Sequence, residues 1–407
     1  MHSKLSHRLL NDFPRFSFQY LFVITIILFP YLNLFGFFYP IEVIGINLYL
    51  VTLFLFILLA FLSNLSKVRN YNEILSIYIY LVIIAIFLGL RLLVYNEPLD
   101  TLSALRTPVI FLILWNVAYS FVYISGKVEL VYKIIIGNSF IQALIGIIHH
   151  YYFPFIVIGG IAGREEGYLI NYSYGAFREN GILLNPNLYA NFIIIGLFLI
   201  LYNNKKKTFN IRWQLEILLI IVMEWGIILS SSRYPMFVSF LLIGYYLVKN
   251  FSVKSFLVLS IPLLIVVYLQ FSSILYSIQR LLIHGYKVRE LKNDLARSMI
   301  FGDVYSFLIG VPSNIVASST TIGGLYVSDN SFYMIIMGFG FPAFLIMFYF
   351  IYLLVKKSFK GLKIYLFYFI GVLWLTNGVL WEVWLLYFFL SIHIIQKSKN
   401  ESNQLSP

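Results

Sequence analysis

Residues 213–248 read WQLEILLIIVMEWGIILSSSRYPMFVSFLLIGYYLV. Two apolar runs, 213–230 and 234–248, meet at the tight turn Ser230-Ser231-Ser232-Arg233-Tyr234-Pro235. Each run approaches the roughly 20 apolar residues that cross a hydrocarbon core. The same pattern recurs along the chain, at 18–36, 42–63, 74–95, 108–124, 134–158, 186–202, 255–271 and 331–355. A last stretch, 364–395, would be about 48 Å long as one helix at 1.5 Å per residue, well beyond a ~30 Å core. Lysines flank it on both sides, at Lys356, Lys357, Lys360 and Lys363 and at Lys397 and Lys399. Flanks on one side of a membrane require an even number of crossings, so the stretch divides into 364–376 and 379–395 at Thr376-Asn377-Gly378.

Composition agrees with this reading. Of 407 residues, 60% are hydrophobic, 19% aromatic and only 11% charged, against about 25% charged in a soluble domain. The expected fold is an all-α polytopic membrane protein with about twelve transmembrane helices. Both termini are cytoplasmic, and residues 1–407 form a single integral-membrane domain. The net charge of +12 does not imply nucleic acid, because the lysines sit in short loops beside apolar runs. With no cysteine, disulfides, thiolate metal sites and thiol catalysis are excluded. The run after the basic segment Met1–Arg15 lacks a small-residue cleavage site and reads as a retained span.

This topology separates lysine from arginine. Lys67/Arg69, Lys127/Lys133, Lys205-Lys206-Lys207/Arg212 and Lys249/Lys254 all fall inside, as positive charge does. The outer side receives just two lysines, Lys287 and Lys292, but eight arginines: Arg91, Arg106, Arg164, Arg178, Arg233, Arg280, Arg289 and Arg297. Guanidinium presents a planar fork of donors suited to phosphate and carboxylate, so the outer arginines ask for an anionic ligand. Two larger outer loops hold most of them, at about 159–185 and 272–330. Within the second, 277–308 is amphipathic and of the kind that lies on a membrane surface. Arg91 needs no role beyond snorkelling, and Arg280 and Arg289 none beyond holding this stretch to lipid.

Several of these arginines stand near helix starts that face outward. Arg106-Thr107-Pro108 opens the fourth span, Asn185-Pro186-Asn187 the sixth, Ser232-Arg233 the eighth and Ser328-Asp329-Asn330 the tenth. A capped helix start combines unpaired N–H groups with a positive dipole end, which suits an anion. An arginine taken alone at such a place can equally hold lipid phosphate. Candidate bases are Asp329, Glu382 and His284, although Asp329 reads equally as a helix cap and His284 as a loop residue without a role. Asp294, Asp303 and an intramembrane carboxylate, Glu224, complete the acids of note. His149-His150 is a poor metal pair, since adjacent residues leave a helix on different faces. No Asp-x-Asp pair occurs, and neither metal nor cofactor is expected, so arginine must neutralise any pyrophosphate.

At these residues the chain resembles the bacterial polysaccharide polymerases and O-antigen ligases (Wzy and WaaL types). The matching pieces are Arg178-x-x-Gly181, Asn185-Pro186-Asn187-x-x-Ala190 and Ser230-Ser231-Ser232-Arg233. A long outer loop with Arg297 follows, then Asp329-Asn330-Ser331-Phe332-Tyr333 with Gly338-x-Gly340. The match covers about 160–355, and the first five spans agree only in hydropathy. The resemblance implies a metal-independent glycosyltransferase at the outer face of the inner (cytoplasmic) membrane, acting on undecaprenyl-pyrophosphate-linked glycan. A flippase and a chain-length regulator would be its partners. Many ligases carry His-Asn where this chain has Asp329-Asn330, which favours a polymerase. Arg178, Arg233 and Asp329 are then the expected catalytic residues. Substrate would be bound by Arg297, Arg164, Arg106, Asn185, Asn187, Ser232, Asn330, Glu382 and His284. An O-antigen ligase is the alternative, and a flippase or transporter of an anionic lipid-linked glycan the second.

Overall fold

The computed structural model describes residues 128–152, 178–206 except 184, 209, 211–249, 253–280, 286–312, 330–346, 363–375 and 382–404, with shorter pieces within 23–31, 82–95, 114–122, 321–326 and 348–349. The architecture is helical. Among the described residues the one strand pairing is a minimal antiparallel bridge, Thr321–Ile322 with Leu325–Tyr326. The helices in chain order are α1 (Val128–Tyr152), α2 (Pro186–Lys206), α3 (Trp213–Leu229), α4 (Arg233–Lys249), α5 (Val253–Leu269), α6 (Phe271–Arg280), α7 (Tyr286–Phe301), α8 (Val304–Ile309), α9 (Ser331–Phe339), α10 (Lys363–Leu375) and α11 (Glu382–Gln404). By length and apolar composition, α1 and α2 can cross a membrane. The chain divides into two compact units, one of residues 1–67, 116–274 and 386–407, the other of 68–115 and 275–385.

In the first unit α1, α2 and α3 pack on one another, α4 lies on α2 and α3, and α5 on α3. Helix α2 is its centre. It is apolar all round, as a helix enclosed on every side must be, and its residues from Leu188 to Leu201 are buried. Asn138 of α1 ties in the C-terminal helix, donating to the Tyr387 hydroxyl at 2.6 Å, while that hydroxyl donates to the Ile26 carbonyl. The Tyr387 ring packs at a tilt of 52° against Phe192, with centroids 4.7 Å apart.

Helix α1 begins at Val128 rather than at residue 134. Lys133, expected as a flank, lies inside the helix and pairs with Glu129 one turn earlier at 2.7 Å. An exposed i,i+4 pair keeps both charges solvated, so the helix extends through them.

The second unit is built on α7, α8 and α9, which enclose Ala296, Ile300, Val311, Ile336 and Met337. Two expectations change here. The amphipathic stretch 277–308 is not continuous: α7 ends at Phe301, and Asp303 starts α8 by accepting from Ser306 N at 2.8 Å. The span expected over 331–355 is broken at Gly340: α9 ends at Phe339 and helix resumes over 341–346, where Phe344 N donates to the Gly340 carbonyl at 3.1 Å. Gly310 and Gly340 have φ of 89° and 82°, and the backbones around them run against each other. Val311 N donates to the Met337 carbonyl at 2.7 Å. Arg91, expected to snorkel, is instead 1% exposed and donates through Nη1 to the Gly338 carbonyl. Tyr95 donates to the Gly310 carbonyl at 2.7 Å. These donors satisfy carbonyls that the helix breaks leave without intrahelical partners.

Asp303 yields the first prediction. The Ser306 hydroxyl, at 2.6 Å, and the Ser306 N–H hold its carboxyl below the ordinary carboxylate range. A depressed folded-state pKa means that the cap stabilises α8 above the unfolded value of about 3.9. That contribution fades as pH falls through the lower, folded value. Protection of the 304–309 amides, taken against their intrinsic exchange rate at each pH, is expected to fall in that acid window. In Asp303→Asn the protection should lose this acid dependence, because asparagine caps without titrating. An unchanged pH profile in the variant rules the cap out as its source.

Candidate anion site

The site forms in the first unit, where the segment 178–183 crosses the end of α3. Helix α3 ends at the three serines, and its last carbonyls have no intrahelical donors left. Glu179 N–H donates to the Leu229 carbonyl at 3.1 Å, and Arg178 Nε to the Ser230 carbonyl at 3.2 Å. The arginine is thereby fixed at the turn that leads into α4.

Two helix starts meet at the same place. Asn185 caps α2, its Oδ1 accepting from Asn187 N at 2.8 Å and Leu188 N at 3.3 Å, with Pro186 at the first helical position. Ser232 precedes α4 and its carbonyl accepts from Met236 N at 3.0 Å. Asn187 Oδ1 joins the two, accepting from Ser232 Oγ at 2.7 Å and from Arg178 Nη2 at 3.3 Å. Arg233 is the first residue of α4 and, like Arg178, half-buried. The starts of two helices, each with the positive end of a dipole, thus adjoin two guanidinium-bearing residues. Such an arrangement suits an anion of more than one charge.

The three serines differ. Ser230 Oγ donates to the Ile227 carbonyl at 2.6 Å and accepts from Ser232 N at 3.0 Å. Ser232 is spent on Asn187. Ser231 is in the left-handed region, at φ 49°, and its buried hydroxyl has no hydrogen-bond partner.

Beside Arg178 lies a pair that the sequence did not reveal. Glu179 and His149 are 0% and 1% exposed, with His149 Nδ1 3.0 and 2.9 Å from the two carboxylate oxygens. A carboxylate only accepts, so Nδ1 carries the hydrogen. Glu179 Oε1 also accepts from the backbone N–H groups of Asn180 and Gly181, at 3.1 and 2.8 Å. With this many donors already engaged, the carboxylate braces the 178–181 segment rather than serving as a base. The available signal was an acid directly beside the motif arginine and a histidine closing an earlier apolar run.

The structure therefore brings together Arg178, Asn185, Asn187, Ser232 and Arg233. In the second unit Arg297, exposed on α7, donates to the Tyr333 hydroxyl at 2.9 Å and to Asp294 at 3.1 Å. The Tyr333 bond, foremost, raises its pKa further. Arg297 thus reaches the first turn of α9, which Asn330 caps by accepting from Phe332 N at 2.9 Å. Glu382 begins α11. Arg106, Arg164, His284 and Asp329 lie outside the described residues. The chain matches no family model, no curated protein and no solved structure.

Proposed function

We propose that this is a multi-pass protein of the bacterial inner membrane that polymerises undecaprenyl-pyrophosphate-linked oligosaccharide repeat units at the outer face. The supporting observation is the sharing of Asn187 Oδ1 by Arg178 and Ser232, beside Arg233 at the start of α4. Glycosyl transfer from a polyprenyl pyrophosphate breaks the bond between the anomeric carbon and a phosphate oxygen, and negative charge accumulates on the leaving pyrophosphate. Donors fixed in advance where that charge develops lower the barrier most. Here Arg178 and Arg233 are those donors, and the two helix starts add to them. The oxygen of an acceptor sugar hydroxyl forms the new bond to the anomeric carbon. Its proton passes to a general base, for which Asp329, Glu382 and His284 are the candidates. About twelve spans with both termini inside supply the frame, and a flippase and a chain-length regulator supply substrate and set product length.

Arginine at position 233 should not be replaceable. Arg233→Lys keeps the charge but loses the planar fork, and polymerisation is expected to fall on the order of 100-fold. Protein level and membrane insertion should stay unchanged. Polysaccharide of normal length from this variant would remove Arg233 from the site.

Reconstitution with a purified lipid-linked repeat unit tests the whole reading. Polymerisation releases undecaprenyl pyrophosphate as the glycan grows. Transfer solely to a second lipid acceptor indicates a ligase, and translocation without release a flippase.

A further inference from the structure

Of the three serines in the turn, two have hydroxyls committed within the protein, Ser230 to the Ile227 carbonyl and Ser232 to Asn187. The middle one does not. Ser231 is 5% exposed and its Oγ has no hydrogen-bond partner. A buried hydroxyl left unpaired is costly, and a bound ligand's oxygen would supply the missing partner. It is also the one non-glycine residue with positive φ among the described residues, at 49°. Its neighbours on both sides are gripped by the site: the Ser230 carbonyl takes Arg178 Nε, and Ser232 binds the Asn187 oxygen that Arg178 also uses.

We propose that Ser231 is a ligand-binding residue whose hydroxyl donates to a phosphoryl oxygen of the pyrophosphate held by Arg178. This rests on the reading of Arg178 as part of an anion site. Ser231 then completes a donor set of guanidinium, helix start and hydroxyl. Its backbone conformation keeps the side chain from joining the local hydrogen bonds that occupy Ser230 and Ser232.

Glycine is the decisive replacement, because it adopts positive φ without strain and removes the hydroxyl alone. In lipid nanodiscs, wild type, Ser231→Gly, Ser231→Ala and Arg178→Ala are titrated calorimetrically with inorganic pyrophosphate and with undecaprenyl pyrophosphate. Ser231→Gly is expected to melt at or above the wild-type temperature yet bind both ligands about ten- to a hundredfold more weakly. Ser231→Ala should bind as weakly and melt lower, since it keeps the strained backbone. If Arg178→Ala weakens binding while Ser231→Gly binds as wild type does, Ser231 has only a conformational role and the inference fails. Unchanged binding in Arg178→Ala overturns the anion site itself, and the inference with it.

Discussion

Glu179→Ala is expected to destabilise the first unit by about 3–5 kcal/mol, the usual result of leaving one member of a buried pair without the other. His149 would remain at 1% exposure without the carboxylate it faces, and the Asn180 and Gly181 N–H groups would lose their acceptor. Because 178 and 179 are adjacent, Arg178 should lose its fixed position as well, and pyrophosphate binding should weaken with stability. Glu179→Gln keeps an acceptor for the backbone N–H groups and is expected to fall between wild type and alanine. The double variant His149→Leu/Glu179→Leu removes both buried polar groups together. It should recover much of the melting temperature, since apolar replacement of a buried pair is often near neutral, but not the binding. Thermal unfolding of detergent-solubilised protein, read by tryptophan fluorescence, is the measurement. A wild-type melting temperature for Glu179→Ala would show that the pair does not brace the segment.

Gly340→Ala should be the most damaging single methyl group in the second unit. Its φ of 82° and ψ of 166° belong to a region that glycine alone occupies readily. A Cβ there would run into the backbone carbonyl of Leu308. At Gly310, with φ 89° and ψ 173°, it would lie 2.5 Å from the Met337 oxygen and 2.9 Å from Phe339 N. The obstructing atoms are backbone, so no side-chain rotation relieves them. Strain and clash together come to about 3–5 kcal/mol for each variant. Both changes force apart one contact, so the double variant should cost less than the sum. Gly244→Ala, where nothing lies within 4 Å of the added methyl, is the control and should be harmless. Equal melting temperatures for Gly340→Ala and Gly244→Ala would refute the close backbone crossing.

The helices α2 to α5 were legible in the sequence because their causes are local. Apolar runs mark α3 to α5 to within two residues and α2 to within four. Asn185-Pro186 marks the start of α2 because its cap needs only the next three residues. The turn at Ser230–Ser232 separates α3 from α4 as expected. What misled was continuity: 331–355 is apolar throughout, yet the helix breaks at Gly340 and resumes at Phe341, because apolarity reports burial and not whether one helix runs through unbroken. Arg91 misled similarly, since a cation beside an apolar run shows its cost but not its acceptor, the Gly338 carbonyl, 247 residues away.

Residues 213–248 by themselves determined a helical hairpin with an arginine at its turn, because hydropathy and turn residues act over short range. The tertiary structure alone decided which hydroxyl of that turn is unspent, and that segment 178–181 grips it. It also set the buried histidine–carboxylate pair behind Arg178. Those outcomes depend on which chain segments end up side by side, and a hydrogen bond between residues 30 or 52 positions apart leaves no periodic trace in the sequence.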